Sequence, residues 1–334
     1  MVGQGRQHEP PGDDYEVRGS CLWGLFLPGL VLAAACTPEP EPEPTDYAPV
    51  RFIALGDTGE GNLDQYAVAD VMAQVCADQG CDFVLLLGDN IYDTGVEALD
   101  DLQWQNKFEL PYAAIDLPFY AVLGNHDYGN AVDEERANFQ VAYSAVSDKW
   151  NMPGRHYAHS HSNVDFLALD TQAMYFNEAL VEAFETQSEW LDQQLAGAPG
   201  DRWRIGYGHH EYLSNGRHGN AGWYDGMNPD IPQFSGIGLK ETFDAQLCGK
   251  LDLYLCGHDH DREWLVETCA GTELIVSGAG AKLRDFENDQ GQHWGDDTTE
   301  GFVWIEIDDS DLVLQFWDKL GVMNYEGGFS RAAE

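Results

Sequence analysis

From residue 50 onward, short apolar runs rich in β-branched and aromatic residues alternate with stretches whose apolar positions recur at helical spacing. Arg51–Leu55, Phe83–Leu87 and Phe119–Leu123 predict three buried strands. Between the first two, Asn62–Asp78 carries Leu63, Ala67, Val71 and Val75 on one face behind Asn62 as an N-cap, which predicts a βαβ opening. Asp101–Ile115, interrupted at Pro111, and Asp133–Val146 predict two more helices. Thr186-Gln187-Ser188-Glu189 reads as a capping box ahead of Trp190, Leu191 and Leu195. Further strands are expected at His156–Ser160, Val164–Asp170, Trp203–Tyr207, Leu251–Cys256, Glu263–Glu267, Glu273–Ser277, Phe302–Ile307 and Leu312–Trp317. Strand following strand at the end of the chain predicts that a second sheet is added there. There is no internal repeat and no linker after residue 50.

The ends of these runs are more informative than their interiors. Arg51–Leu55 stops at Gly56-Asp57, Phe83–Leu87 at Gly88-Asp89-Asn90, and Phe119–Leu123 at Gly124-Asn125-His126-Asp127. Trp203–Tyr207 stops at Gly208-His209-His210, and Leu251–Cys256 at Gly257-His258-Asp259-His260. Each run delivers a carboxylate, amide or imidazole at its carboxyl end, with a glycine that lets the backbone turn sharply. Convergence of these donors predicts a metal centre. Asp, Asn and His are hard or borderline ligands suited to Fe(III), Fe(II), Zn or Mn, and no CxxC spacing points to thiolate ligation. Asp89 is the natural bridge between two cations held about 3.5–4 Å apart, the spacing that clamps an in-line phosphoryl displacement. One metal then activates water and the other accepts the substrate oxygen.

Composition narrows the partners. The chain of 334 residues is 43% apolar and 12% aromatic, which excludes general disorder, and its 58 acids against 17 bases give a formal charge of −41. Such a field repels nucleic acid and suits a solubilising surface. The expected partner is a small phosphoester, and a monomer is expected. Residues 1–36 read as a secretory leader: Leu22–Ala35 is uncharged and apolar, ends in Ala33-Ala34-Ala35, and precedes Cys36 in a pattern that resembles a bacterial lipobox. Acids at Asp13, Asp14 and Glu16 are unlike a signal start, so translation from near Val17 fits the leader better. Residues 37–49, with Pro-Glu alternation over Thr37–Asp46, are expected to form an extended tether. These features place the protein at a bacterial cell surface or in the periplasm, lipid-anchored at Cys36. The folded domain is expected at 50–328, with 329–334 as a tail. Five cysteines lie beyond Cys36, so at least one is unpaired, and Cys76–Cys81 is the favoured disulfide.

The five blocks together resemble the signature of the calcineurin-like metallophosphoesterases. Tyr92, three residues after Asp89, narrows the resemblance to the purple acid phosphatases. It is similar to their small, tartrate-resistant type over Gly88–Val96, Tyr254–His260 and Val276–Gly280. The resemblance covers about residues 50–328. It implies a four-layer αββα sandwich of two mixed sheets flanked by helices, and an exported phosphatase acting on phosphomonoesters. It further implies Asp57, Tyr92 and His260 on Fe(III), Asp89 bridging, and Asn125, His209 and His258 on a divalent Fe, Zn or Mn. Tyrosinate on the ferric ion would colour the protein purple. Asn125, His126, His210 and His218 form the expected substrate-binding set, with His126 and His218 as the residues that contact phosphate and protonate the leaving group. The alternatives are a phosphodiesterase or nucleotide pyrophosphatase of the same superfamily and a non-catalytic surface protein that holds metal or phosphate.

Two departures from the family pattern stand out. His210-Glu211 replaces the usual Tyr-Pro after the ligand histidine; adjacent residues on an extended segment face opposite ways, and the motif selects His209 as the ligand. The loop Asn220–Gly238 is long, and its Trp223, Tyr224 and Phe234 either wall a pocket or pack the loop down. His156, His159 and His161 are expected on a solvated strand face.

Overall fold

The computed structural model describes residues 47–129, 132–196, 200 and 202–331. The leader, Cys36 and most of the tether therefore lie outside the described residues. The strands are β1 Val50–Leu55, β2 Phe83–Leu86, β3 Phe119–Ala121, β4 Trp150–Asn151, β5 Tyr157–His161, β6 Val164–Ala168 and β7 Trp203–Tyr207. They continue as β8 Leu253–Cys256, β9 Arg262–Leu265, β10 Glu273–Ser277, β11 Gln292–Asp296, β12 Gly301–Asp308, β13 Asp311–Asp318 and β14 Met323–Ser330. Two seven-stranded sheets result, ordered β14-β13-β12-β1-β2-β3-β4 and β11-β9-β10-β8-β7-β6-β5. Both are mixed: β1 to β4 run parallel while β12 to β14 add antiparallel, and β6-β7-β8-β10 run parallel between antiparallel edges.

Strand periodicity sorts side chains between two cores. On β6, Phe166 and Ala168 enter the cluster shared with the first sheet, while Leu167 and Leu169 face a second cluster containing Leu191 and Leu239 from helices Val181–Ala196 and Ile237–Thr242. On β8, Leu253 and Leu255 point one way and Tyr254 and Cys256 the other. Phe52, Phe83 and Phe166 lock the sheets together, with ring centroids 5.2–5.3 Å apart. The helix Leu63–Gln79 begins at Asn62 as expected, because the Asn62 Oδ1 accepts the Gln65 N–H at 2.8 Å. Cys76–Cys81 closes its end, a second disulfide joins Cys248 and Cys269, and Cys256 is free and buried.

Several expectations are corrected. The run of strands at the end of the chain divides: β8 to β11 belong to the second sheet, as expected, but β12 to β14 join the first, where β12 pairs antiparallel with β1 because β2 occupies only one edge of β1. The Thr186 box starts no helix. Val181–Ala196 runs through it, and Thr186 Oγ1 donates to the Glu182 carbonyl one turn back. Gln187 fixes that helix earlier by accepting the Asp170 N–H and donating to the Asp170 carbonyl. Asp101–Ile115 breaks into Leu102–Trp104, a wider π turn Gln105–Glu109, and turns. The β5 histidines do not share a solvated face. His159 stacks on Tyr120 at 3.9 Å and Phe166 at 4.9 Å, and His161 lies 4.3 Å from Phe83, so both rings sit against the inter-sheet aromatics.

Candidate metal centre

Every expected ligand leaves the carboxyl end of a strand: Asp57 after β1, Asp89 and Tyr92 after β2, Asn125 after β3, His209 after β7, and His258 and His260 after β8. A backbone bond from the Gly56 N–H to the Ser277 carbonyl joins the two strand-end rims, and one from the Asp57 N–H to the Gly88 carbonyl ties β1 to β2 within the first sheet. Asp57, Asp89 and His258 all adopt positive φ, at 59°, 51° and 69°, a conformation that non-glycine residues hold only where the surroundings impose it. The packing admits no side chain at Gly124, where a Cβ would lie 2.2 Å from Asp89 Oδ1. At Gly88, with φ 87°, a Cβ would lie 2.8 Å from the His209 ring.

The donor atoms form two groups on either side of Asp89. In the first, Tyr92 Oη lies 2.7 Å from Asp57 Oδ1, and His260 Nε2 lies 3.3 Å from each of them. In the second, His209 Nε2 lies 3.1 Å from both Asn125 Oδ1 and His258 Nδ1. Asp89 Oδ2 is 3.5 Å from His209 Nε2, and one ligand atom from each of Asp57, Asp89 and His209 falls within 4.8 Å of the others. Donors bound about 2.0–2.2 Å from one ion stand about 3 Å or slightly more from one another, so both groups have the spacing of a coordination shell. His209 Nδ1 donates to the Leu87 carbonyl at 2.9 Å, which leaves the Nε2 lone pair directed at Asn125 and His258.

Electrostatics make the same case. Asp57 and Asp89 are buried, and neither has a Lys or Arg within 4 Å among the described residues. Burial, then the Asp57 and Asp89 carboxylates, push the Tyr92 phenol well above its usual range. Burial alone would lower His209, but Asp89 and then Asp57 outweigh it and carry it up to about 9. Burial would likewise raise Asp89, but His209 and His126 hold it well below the usual carboxylate range. Buried carboxylates with no Lys or Arg beside them, balanced among the described residues by imidazoles that are themselves candidate ligands, fit bound cations.

The expected substrate-binding residues divide into two places. Asn125, His210 and His218 line one cavity of about 310 Å³ together with Tyr175, Phe176, Tyr224, Phe234 and His258. His126 stands across the site, its N–H on Asp89 Oδ1 at 2.8 Å, its Nδ1 on the Asp93 carbonyl at 2.6 Å, and its ring 4.4 Å from that of Tyr92. His210 contributes no atom to either donor group: its Nδ1 lies 2.9 Å from Thr171 Oγ1, and its ring lies beside that of His258 at 4.6 Å. The long loop does both things expected of it: Tyr224 is buried and stacks with Tyr175, Phe234 borders the cavity, and Trp223 stays exposed.

Sequence reasoning gave no role to several residues that hold this geometry. Asp127 accepts the backbone N–H groups of Gly124, Asn90 and Ile91, tying the ends of β2 and β3 together. Asp259 accepts those of His218 and Gly219, which seats the His218 loop. Both stand inside the quoted motifs, where their position was the available signal. Asp225, 3.1 Å from His218 Nδ1, and Arg284, 3.0 Å from His218 Nε2, had none.

Comparison with known proteins agrees with this geometry. The human tartrate-resistant acid phosphatase type 5 is 28% identical, covering 93% of this chain and 97% of the relative. Purple acid phosphatase 3 of Arabidopsis thaliana is 28% identical over 84% of this chain and 77% of its own. Among solved structures, Plasmodium GAP50, described as the anchor in the inner membrane complex, shares the fold with a TM-score of 0.65 and 22% identity, over 86% of this chain and 90% of its own. A dimetal phosphatase from Danio rerio matches with a TM-score of 0.55 and 13% identity, over 85% and 99%. The model of the calcineurin-like phosphoesterases matches residues 50–262, spanning all seven donor residues, and the chain belongs to that family.

Proposed function

We propose that this protein is an exported phosphatase of the purple acid type that hydrolyses phosphomonoesters at a binuclear centre. The observation that carries the reading is the pair of donor groups flanking Asp89. Asp57 and Tyr92 bring two anionic donors to one side, matched to Fe(III). Asn125, His209 and His258 are neutral donors suited to a divalent Fe, Zn or Mn. When bound, the two ions would supply Lewis-acid polarisation of the phosphoryl group and acidify water at neutral or lower pH.

The chain's own residues do the rest. Asp89 balances charge between the two groups, and His209 is held in one tautomer by the Leu87 carbonyl. His126 donates its Nδ1–H to the Asp93 carbonyl, which leaves Nε2 to face the phosphoester beside Asp89. His218 donates its Nδ1–H to Asp225, so an imidazolium formed by protonation at Nε2 is paired, and that Nε2 proton can pass to the leaving oxygen. The cavity bounded by Tyr175, Phe176 and Phe234 receives the leaving group beside Asn125 and His258.

The test is turnover of p-nitrophenyl phosphate and of bis-p-nitrophenyl phosphate by protein of measured metal content. Monoester turnover that requires both ions supports the reading; faster diester turnover would move the protein to the phosphodiesterases. Tight phosphate binding without turnover would make it a surface binding protein. Export and lipid anchoring rest on the leader and Cys36, and predict that Cys36→Ala releases the protein from the membrane fraction. A sedimentation experiment would check the proposed monomer.

A further inference from the structure

The segment between β10 and β11 carries two cations, Lys282 and Arg284, into a site whose surroundings are strongly acidic. Its backbone is tied to the ligand loop, because the Arg284 N–H donates to the His260 carbonyl at 3.0 Å. Lys282 Nζ lies 3.5 Å from the centroid of the Tyr92 ring and pairs with Glu60. Arg284 is different. Among the described residues no carboxylate lies within 4 Å of its guanidinium, and its side-chain hydrogen bond is Nη1 to His218 Nε2 at 3.0 Å. Because Nδ1 of that ring already donates to Asp225, Nε2 accepts, and the guanidinium spends one N–H on a neutral partner. In a chain with 58 acids and 17 bases, this half-buried arginine feels Asp225 across the His218 ring but forms no direct ion pair among the described residues.

The His218 ring stacks on the His258 ring at 4.1 Å, and both line the cavity that contains Asn125. The guanidinium therefore stands at the Nε2 edge of His218, one side chain away from the cavity that His218 itself lines. A net charge of −41 repels an approaching dianion, so the site needs local cations to hold one. A guanidinium fork matches two phosphate oxygens better than an ammonium does.

We propose that Arg284 is a further substrate-binding residue, which leaves His218 Nε2 to donate to the oxygens of the bound phosphoester. The inference rests on the phosphoesterase reading of the same site. Contact with phosphate would also release Nε2 to carry the proton that the leaving group needs. Lys282, already paired with Glu60, is not the anion contact.

The experiment compares wild type, Arg284→Lys, Arg284→Gln and Arg284→Ala, each with its metals loaded, by steady-state kinetics, inhibition by inorganic phosphate, and calorimetric titration with phosphate. Arg284→Ala should raise KM and the phosphate inhibition constant together by about 10- to 100-fold, the scale of a charge-assisted hydrogen-bond pair, with kcat changed by less than about 5-fold. Arg284→Lys should fall between wild type and Arg284→Ala, because charge survives and the fork does not. Unchanged KM and phosphate affinity with a lower kcat on alkyl phosphates would overturn the proposal and make Arg284 a positioning residue for His218. Should wild type prove unable to turn over any monoester, the phosphatase reading fails, while the calorimetric comparison still decides: equal phosphate affinity, or none in wild type, overturns the assignment of Arg284. The Gln and Lys variants keep the test open if the alanine variant does not fold.

Discussion

The protein buries histidines in two places, and their surroundings give them opposite properties. At the strand-end rim, His209 faces Asp89 and is carried up to about 9 despite complete burial. Between the sheets, His159 lies among Tyr120, Phe166 and Tyr207 with no carboxylate, and burial, then His161, push it down to about 3. Burial alone therefore assigns no role to a histidine; what decides is whether an anion is buried with it. At the rim the carboxylates favour positive charge on His209, which a bound metal would supply in place of the proton, and between the sheets His159 behaves as a flat apolar side chain with one hydrogen bond, to Tyr207.

The sharpest way to break this contrast is to remove the anion. Asp89→Asn should lower kcat by about 10³-fold or more, as expected for a member of a group that acts as a unit. It should also lower the metal content of both sites, measured by elemental analysis; equal metal stoichiometry in wild type and variant would end the bridging assignment. His218→Ala leaves the anions in place and removes a proton donor. It should lower kcat for alkyl phosphates by about 10²–10⁴-fold while p-nitrophenyl phosphate, whose leaving group needs little protonation, suffers far less. Equal loss on both substrates with metals retained would make His218 a phosphate-binding residue only.

Tyr92→Phe tests the first donor group with a smaller expected cost. The iron-loaded wild type should absorb in the visible through Tyr92, and the variant should lose that band while keeping measurable activity and both metals. A colourless, active wild type would remove iron from the proposal. His159→Phe probes the other histidine environment and has the smallest effect at neutral pH, where its contribution does not change with pH. Its folded value of about 3 lies below the ordinary 6.5, so as pH falls the unfolded chain takes up the proton first. Stability from this residue is full above about pH 6.5 and is lost down to about pH 3, at up to about 1.4 kcal/mol per pH unit. The phenylalanine variant should show a flatter fall of Tm with pH in that window; an unchanged acid slope would show that His159 does not carry it.

The site was more legible than the fold that carries it. The seven candidate donors were readable because a strand that ends in a glycine and then a carboxylate, amide or imidazole leaves a mark within a few residues, as at Gly88-Asp89 or Gly257-His258. The capping-box reading at Thr186 failed because Ser/Thr-x-x-Glu also occurs inside helices, and Gln187 anchors this one from within through Asp170. The strand β11, with sequence Gln292-His293-Trp294-Gly295-Asp296, escaped notice because an edge strand need not alternate when neither face is fully buried. Arg284 escaped for a different reason: 66 residues separate it from His218, and no local pattern announces such a pair.

By itself the sequence determined the parallel strand-and-helix opening, the candidate donors, and the glycines at which the chain turns after each strand, because each depends on residues close together in the chain. Only the tertiary structure decided which sheet received the last three strands. It alone placed His159 between the sheets and Asp225 and Arg284 on either side of His218. Those outcomes depend on which strand edge is free, on which face of a strand meets the other sheet, and on contacts between residues tens of positions apart.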